Sequence, residues 1–560
     1  MRQKLKNRLL LLLLVFLAAC ANRVPPDGGP RDRTAPQVLL SVPPQKSIDI
    51  QGNRFEFTFD EFIQLKDGGS SIMVSPPLRK PPDAVLQGKR LVLKMNELLD
   101  SNTTYTITIG AGIVDLTESN PLEPYSLVFS TGPNLDSLSC FGNVKDAFNG
   151  EVAKDVLVML YRSDTDSLPK TMLPRYFAKT DASGNYKIEN LKRGIYKVFA
   201  LKDINSNYLY DQPGEMIGFS NVLLAIDSAK TAVEQLSLSA EEAKVQRLIR
   251  NEYLEPGQLT LKYALSPDSI QVTDFTGEKV TYFKSDLSSS DSLSLFFKRF
   301  QQDSVKFYIR NFLKGELHTD TLEFKARKQA VSSKKGRKGS AVDTSLKVTS
   351  NIEGKKLLPA EALRLLTNYP SQLTDSASFK WIIAGDTLDA GRPVSSGDFA
   401  FSFKPPSAPG KAIYLIAAPG SISDLYNHIN DSLKLDFRVM DTDETGNLEI
   451  VFRDFANTPQ QVLLELTDGK GRVIKALTVN GQDSLVIESL RPGTFKLRAI
   501  EDRNKDGRWT PANYDTKIQA EPVFRYSAEI AIRAGWDLAV EFEINLPPEE
   551  KRPDKPASEE

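Results

Sequence analysis

From Val38 onward, short runs alternating apolar and polar residues are cut at close intervals by proline, glycine, asparagine and aspartate. "RFEFTFDEFI", "RLVLKM", "TTYTITIG" and "YSLVFSTG" follow one another in this way between residues 54 and 132. A period of two places one set of side chains on each face of a strand, and turn residues between such runs reverse the chain. Apolar faces of this kind are buried by stacking one sheet on another, so the expected fold class is all-β, a series of antiparallel β-sandwiches. With 560 residues the chain is too long for one hydrophobic core, and several domains are expected.

Charge and composition narrow the function. The 71 basic and 72 acidic residues leave a net charge of -1, with no cationic surplus to neutralise a phosphate backbone. Nucleic acid is therefore not an expected partner. No glycine-rich phosphate loop or nucleophile elbow is found, so neither a nucleotide cofactor nor a catalytic residue is assigned. Cys20 and Cys140 are too few for a disulfide scaffold or a thiolate zinc cluster. His318 and His428 stand without a supporting cluster and are expected in ordinary surface or partly buried roles. Asp60 and Glu61 are adjacent carboxylates. On one strand they would point to opposite faces and could not flank one substrate bond. Trp381, Trp509 and Trp536 are isolated, and core or rim positions are expected for them.

The N-terminus follows the rules of export. Arg2, Lys4, Lys6 and Arg8 precede the apolar run Leu9 to Leu17, which is too short to span a bilayer and fits a signal peptide. Leu17-Ala18-Ala19-Cys20 resembles the lipobox of bacterial lipoproteins. The resemblance implies cleavage before Cys20, then a diacylglycerol on its sulfur and an acyl chain on its new amino group. More than one acyl chain meets the requirement for stable anchoring in a membrane. Ala21, rather than aspartate, after the lipidated cysteine points to the outer membrane under the sorting convention of such proteins. Non-acidic Asn22, Arg23 and Val24 favour its periplasmic face. Cys140 is then left without a partner, as a free and buried thiol.

Composition shifts divide the chain. Residues 1–19 read as the signal peptide and 20–36 as the lipidated cysteine with a Pro/Gly tether. Residues 37–132 and 133–232 read as two sandwiches, 233–328 as a further β-rich unit and 329–345 ("QAVSSKKGRKGSAVDTS") as a basic linker. Residues 346–440 and 441–545 form two more β-rich units, and 546–560 is a charged, proline-rich tail expected to be disordered. Within the third unit "EEAKVQRLIRNEYL" (241–254) has helical spacing and composition, and a helix is expected there, although a charged sandwich strand can show the same pattern.

An internal repeat is visible. "KIENLKRGIYKVFALKDINSNYLYD" (187–211) aligns without gaps on "VIESLRPGTFKLRAIEDRNKDGRWT" (486–510). Gly194 and Gly493 are expected in a turn before a strand, where a permissive backbone is useful. Each copy runs from a strand into a polar loop: Asp203, Asn205, Asn207 and Asp211 in one, Asp502, Asn504, Asp506 and Thr510 in the other. Oxygens at positions 1, 3, 5 and 9 can converge on calcium, with the position-7 carbonyls of Leu209 and Arg508 completing the set. Glu215 and Asp515 are the nearest later carboxylates, and neither falls at position 12. The same residues also suit an Asx-rich turn that caps its own backbone, and both readings stand.

Two family resemblances follow from longer motifs. Leu99, Asn102, Thr103, Tyr105, Asp115, Asn120, Pro121, Phe129 and Gly132 fit the pattern of the bacterial Ig-like domain first known from S-layer proteins. "SLSCFGNVKDAFNGEVAKDVLVMLYR" and "AKTDASGNYKIENLKRGIYKVFALKD" resemble transthyretin-like, carboxypeptidase-regulatory-like sandwiches. The order of tether, Ig-like domain and transthyretin-like domain is similar to envelope lipoproteins of the Bacteroidetes type. The resemblance implies architecture and location but no reaction; the lipobox, the serial sandwiches and the lack of catalytic groups together lead to the expectation of a lipid-anchored, non-enzymatic protein with a structural, adhesion or protein-interaction role. Alternatives are a carbohydrate-binding or glycan-processing accessory and a partner in envelope assembly or secretion. The partners implied are the membrane, through the anchor, and envelope proteins or glycans.

Overall fold

Along Arg54–Phe59 the phenylalanines at 55, 57 and 59 are buried, while the residues between them face outward. Such strands have one place to go, a second sheet with its own apolar face. The structure, a computed structural model, describes residues 32–66, 71–162, 168–243, 245–254, 257–274, 280–285, 292–298, 304–313, 316–325, 345–374, 377–408, 410–453 and 461–544. The signal peptide, Cys20, most of the tether, the basic linker up to Thr344 and the tail 546–560 lie outside the described residues.

The first sandwich uses β1 (Val38–Val42), β2 (Arg54–Phe59), β3 (Ile63–Leu65), β4 (Met73–Ser75), β5 (Asp83–Gln87), β6 (Arg90–Lys94), β7 (Thr104–Ile109), β8 (Ile113–Asp115) and β9 (Tyr125–Ser130). One sheet runs β1-β2-β6-β5 and the other β4-β7-β9, with β3 paired to β8 at one end. Phe55, Phe57, Leu91 and Leu93 of the first sheet meet Val74, Tyr105, Ile107, Leu127 and Phe129 of the second in one core. Burial of each large side chain contributes about 1.5–3 kcal/mol.

The second sandwich comprises β10 (Leu138–Asp146), β11 (Leu157–Tyr161), β12 (Tyr176–Lys179), β13 (Asn185–Leu191), β14 (Gly194–Lys202), β15 (Met216–Phe219), β16 (Leu224–Ile226), β17 (Lys230–Ala232) and β18 (Leu236–Ala240). Here β11 lies between β12 and β14, and β14 also pairs β16. In the other half β10 pairs β13 antiparallel and β17 parallel. Cys140 of β10 is a free, fully buried thiol, and burial pushes its pKa up to about 12.

Residues 248–325 bring Leu259, Leu261 and Leu295 of one sheet against Val272, Phe307 and Ile309 of another. The helix expected at 241–254 is not formed: Leu248–Leu254 is a strand, paired antiparallel with Gln258–Tyr263. Arg250 and Glu252, two apart, share a face and form an ion pair at 3.0 Å, the spacing of a strand. Residues 348–439 close around Leu363, Phe379, Trp381, Phe401, Leu415 and Phe437. Trp381 is thus a core residue, 4% exposed.

In the last sandwich Gly446–Arg453 lies between Ser484–Leu490 and Asp537–Glu543, the latter pairing being parallel. Gln461–Asp468 joins Val473–Asn480 to Gly493–Asp502 in the facing sheet. Leu448, Ile450 and Phe542 pack on Val462, Leu464 and Leu497 between them. The chain divides into two compact units. One holds residues up to 145 with 152–212 and 218–236, and the other holds 146–151, 213–217 and everything from 237.

Candidate functional site

The sequence repeat has a backbone counterpart. Asn190 and Ser489 adopt φ of 58° and 55°, Ser206 and Lys505 of 59° and 58°, Tyr208 and Gly507 of 63° and 77°. Each pair is separated by the interval of the ungapped alignment. In both copies the first strand also carries a parallel partner near the copy's end, β17 on β10 and Asp537–Glu543 on Gly446–Arg453. Gly194 and Gly493, expected in a turn where a permissive backbone is useful, do not adopt positive φ. The left-handed residue precedes each of them, at Asn190 and Ser489. Asparagine tolerates that region, so a turn there does not need glycine. Tyr208 is a bulky residue in the left-handed region, and its ring packs 4.9 Å from Phe177.

In the first loop Asp203 Oδ1 accepts the Ser206 and Asn207 amides at 2.6 and 3.3 Å, and Oδ2 accepts Tyr208 N–H at 2.9 Å. The Asn205 and Asn207 amides donate to the two Asp211 oxygens at 3.1 and 2.7 Å. Leu209 N–H donates to Asn207 Oδ1 at 2.8 Å. Positions 3, 5 and 9 are therefore brought together, while position 1 caps the turn.

The second loop repeats this. Asp502, 1% exposed, accepts Asp506 N–H at 3.1 Å, Gly507 N–H at 3.0 Å and the Gln461 amide at 2.7 Å. Asn504 Nδ2 reaches Asp506 Oδ2 at 3.0 Å and Thr510 Oγ1 at 2.8 Å. Arg508 takes the Asp506 carboxylate through its own guanidinium at 3.1 Å, so a cation here would compete with it. Among the described residues no group of three or more His, Cys, Asp and Glu is placed to hold a metal ion. Any cation in these loops would rely on asparagine, threonine and backbone oxygens beside the aspartates.

The residue missed in sequence is Glu521. It is 4% exposed, and its carboxylate accepts Arg503 N–H at 2.8 Å and Thr510 N–H at 2.8 Å. Burial raises its pKa, and the backbone amides pull the other way. It stitches the second loop closed from beyond the span of a twelve-residue calcium loop, and from beyond Asp515, the nearest later carboxylate. Glu215 is buried as well.

Other singled-out residues have structural roles. Asp60 and Glu61 follow the end of β2 rather than lying in it, and Asp60 Oδ1 accepts Gln37 N–H at 2.8 Å. His428 Nδ1 meets Asp424 Oδ2 at 2.8 Å, and His318 lies 3.8 Å from Glu316. Trp509 is half-buried and donates to the Glu521 carbonyl at 2.9 Å, whereas Trp536 is 58% exposed with Arg533 over its ring.

The motif residues of the first sandwich explain one another. Asn102 turns the chain at φ 49°, and Gly132 lies so close that a Cβ there would fall 2.5 Å from Asn102 Oδ1. Asp115, 1% exposed, accepts the amides of Thr117, Glu118, Ser119 and Asn120 within 3.0 Å and so holds the whole loop before Pro121. Tyr105 accepts Asp100 N–H at 2.9 Å on its hydroxyl.

These features define a chain of β-sandwiches whose first member is of the bacterial Ig-like class. Residues 32–131 match the family model of the bacterial Ig-like domain. No curated protein sequence matches the chain. Among solved structures it is similar to the BcpA major pilin subunit of Bacillus cereus, 10% identical, covering 73% of this chain and 99% of that one at a TM-score of 0.13. The Bacillus anthracis TIE protein is 11% identical over 93% of this chain and 76% of its own, at a TM-score of 0.13. The S-layer protein SbsC is 12% identical over 84% of this chain and 66% of its own, at 0.14. At those TM-scores the likenesses carry no argument about function.

Proposed function

We propose that this chain is a lipid-anchored protein of the outer membrane, facing the periplasm. It presents serial β-sandwiches in a non-enzymatic structural, adhesion or protein-interaction role. The observation that carries the reading is the Leu17-Ala18-Ala19-Cys20 junction and its Pro/Gly tether, set directly before a bacterial Ig-like domain. The second and last sandwiches are read as transthyretin-like copies. Support for a non-enzymatic role comes from the carboxylates themselves: Asp115, Asp424 and Glu521 are spent on backbone amides. Substituting Cys20→Ser should move the protein from the membrane pellet to the soluble fraction and abolish metabolic labelling with a radioactive fatty acid. Retention of label or of membrane association would refute the anchor.

Calcium binding at the two loops, through Asp203, Asn205, Asn207, Leu209 and Asp211 and through Asp502, Asn504, Asp506, Arg508 and Thr510, is part of the same reading. It is supported by the convergence of positions 3 and 9 in both copies. Calorimetric titration at millimolar calcium should give heat and raise Tm, both reduced in Asp506→Ala. No heat and no thermal shift would remove it.

A further inference from the structure

The turn between β10 and β11 carries residues that the function above does not use. Asp146 Oδ1 accepts the amides of Phe148 and Asn149 at 2.9 and 2.8 Å, which fixes the turn and projects the Phe148 ring away from it. That ring lies 4.9 Å from the Trp509 ring, with the Arg498 guanidinium 4.3 Å from its centroid. Arg498 is held in place by Glu465 at 2.6 Å. The Arg525 guanidinium donates to the carbonyl of Phe148 and, at 3.4 Å, to that of Ala147. Gly150 has φ 72°, and a Cβ there would fall 2.8 Å from the Arg525 guanidinium carbon. Phe148 and Trp509 are more than 350 positions apart in sequence, yet residues 146–151 belong to the same compact unit as the last sandwich. A second tie lies close by in sequence: Ser239 Oγ accepts Ala512 N–H at 3.1 Å, and Glu241 accepts Tyr514 N–H.

We propose that Arg498, Trp509 and Arg525 form a docking cradle on the last sandwich whose occupant is the chain's own 146–151 turn. The chemistry is specific on three counts. An aromatic ring is held between an indole and a guanidinium, where cation–π attraction adds to apolar burial. One guanidinium nitrogen of Arg525 meets the Phe148 and Ala147 carbonyls while the other donates to the Val523 carbonyl at 3.0 Å, a planar fork that lysine does not reproduce. A glycine stands where any side chain would strike that fork. Trp509 belongs to the polar loop that begins at Asp502, so the order of that loop and the grip on Phe148 are physically joined through one side chain.

Hydrogen exchange of the full chain tests this. Phe148→Ala, at a half-buried turn position that the cores do not use, should speed amide exchange about tenfold across 509–525 as well as at 146–151. Arg525→Lys, which keeps the charge and loses the fork, should speed exchange at 146–151. Effects confined to the segment bearing each substitution would overturn the proposal. So would protection of 146–151 that rises with protein concentration, because the occupant would then be a second copy of the chain.

Discussion

Truncating Phe129 to alanine is expected to destabilise the first sandwich by about 3–5 kcal/mol. The side chain is fully buried, with its ring 4.6 Å from Phe55 and 5.7 Å from Tyr105. From β9, which pairs with β7 in one sheet, it packs across the sandwich on Phe55 of the facing sheet, so neither sheet can collapse into the space without breaking the Tyr105–Phe129 register. Leucine in its place keeps more of the volume and should cost roughly half as much. Urea unfolding of a 32–132 fragment, which holds a whole core of its own, reads the effect directly. A loss below about 1 kcal/mol would mean that the ring is not the keystone described here.

The second large effect is electrostatic and depends on pH. Burial works to raise the Asp115 pKa, but the amides of Asn120, Ser119 and Glu118 outweigh it and bring it from 3.8 to about 2. A carboxylate whose pKa is lowered in the folded state adds stability only while it is ionised. The Asp115 contribution is thus complete at neutral pH, begins to fade as the pH falls into the ordinary carboxylate range, and is largely gone near pH 2. Asp115→Ala removes the acceptor for four amides at once and should lower the unfolding midpoint of the domain by ~10 °C at pH 7. The gap between variant and parent should narrow steadily from pH 5 to pH 2. A gap that stays constant over that range would show that the substitution acts through packing and not through the charge.

Alternation of polar and apolar residues was enough to read strands and cores in the first sandwich, because each apolar position there faces one shared interior. It misled at 241–254. Helical and strand spacing differ little over a charged segment of that length, and the choice fell to Gln258–Tyr263, a strand able to pair with it. The loops show the same division. Asp203 and Asp502 were identified by spacing, and the structure uses both to cap a turn. Glu521 gave no signal, since its partners are backbone amides of residues 503 and 510 that only folding brings to it.

Local chemistry determined what is local: strand period, the turn residues, the ungapped repeat, and the lipobox-like junction at Cys20. Tertiary structure alone decided what depends on distance through space. Glycines 194 and 493 proved ordinary while Asn190 and Ser489 bend the backbone. Phe148, an unremarked residue in a turn motif, found Trp509 and Arg498. The reason is that a period or a turn is encoded within a few neighbouring residues. A cradle built from two strands and a loop exists only after remote segments have paid the entropy of meeting.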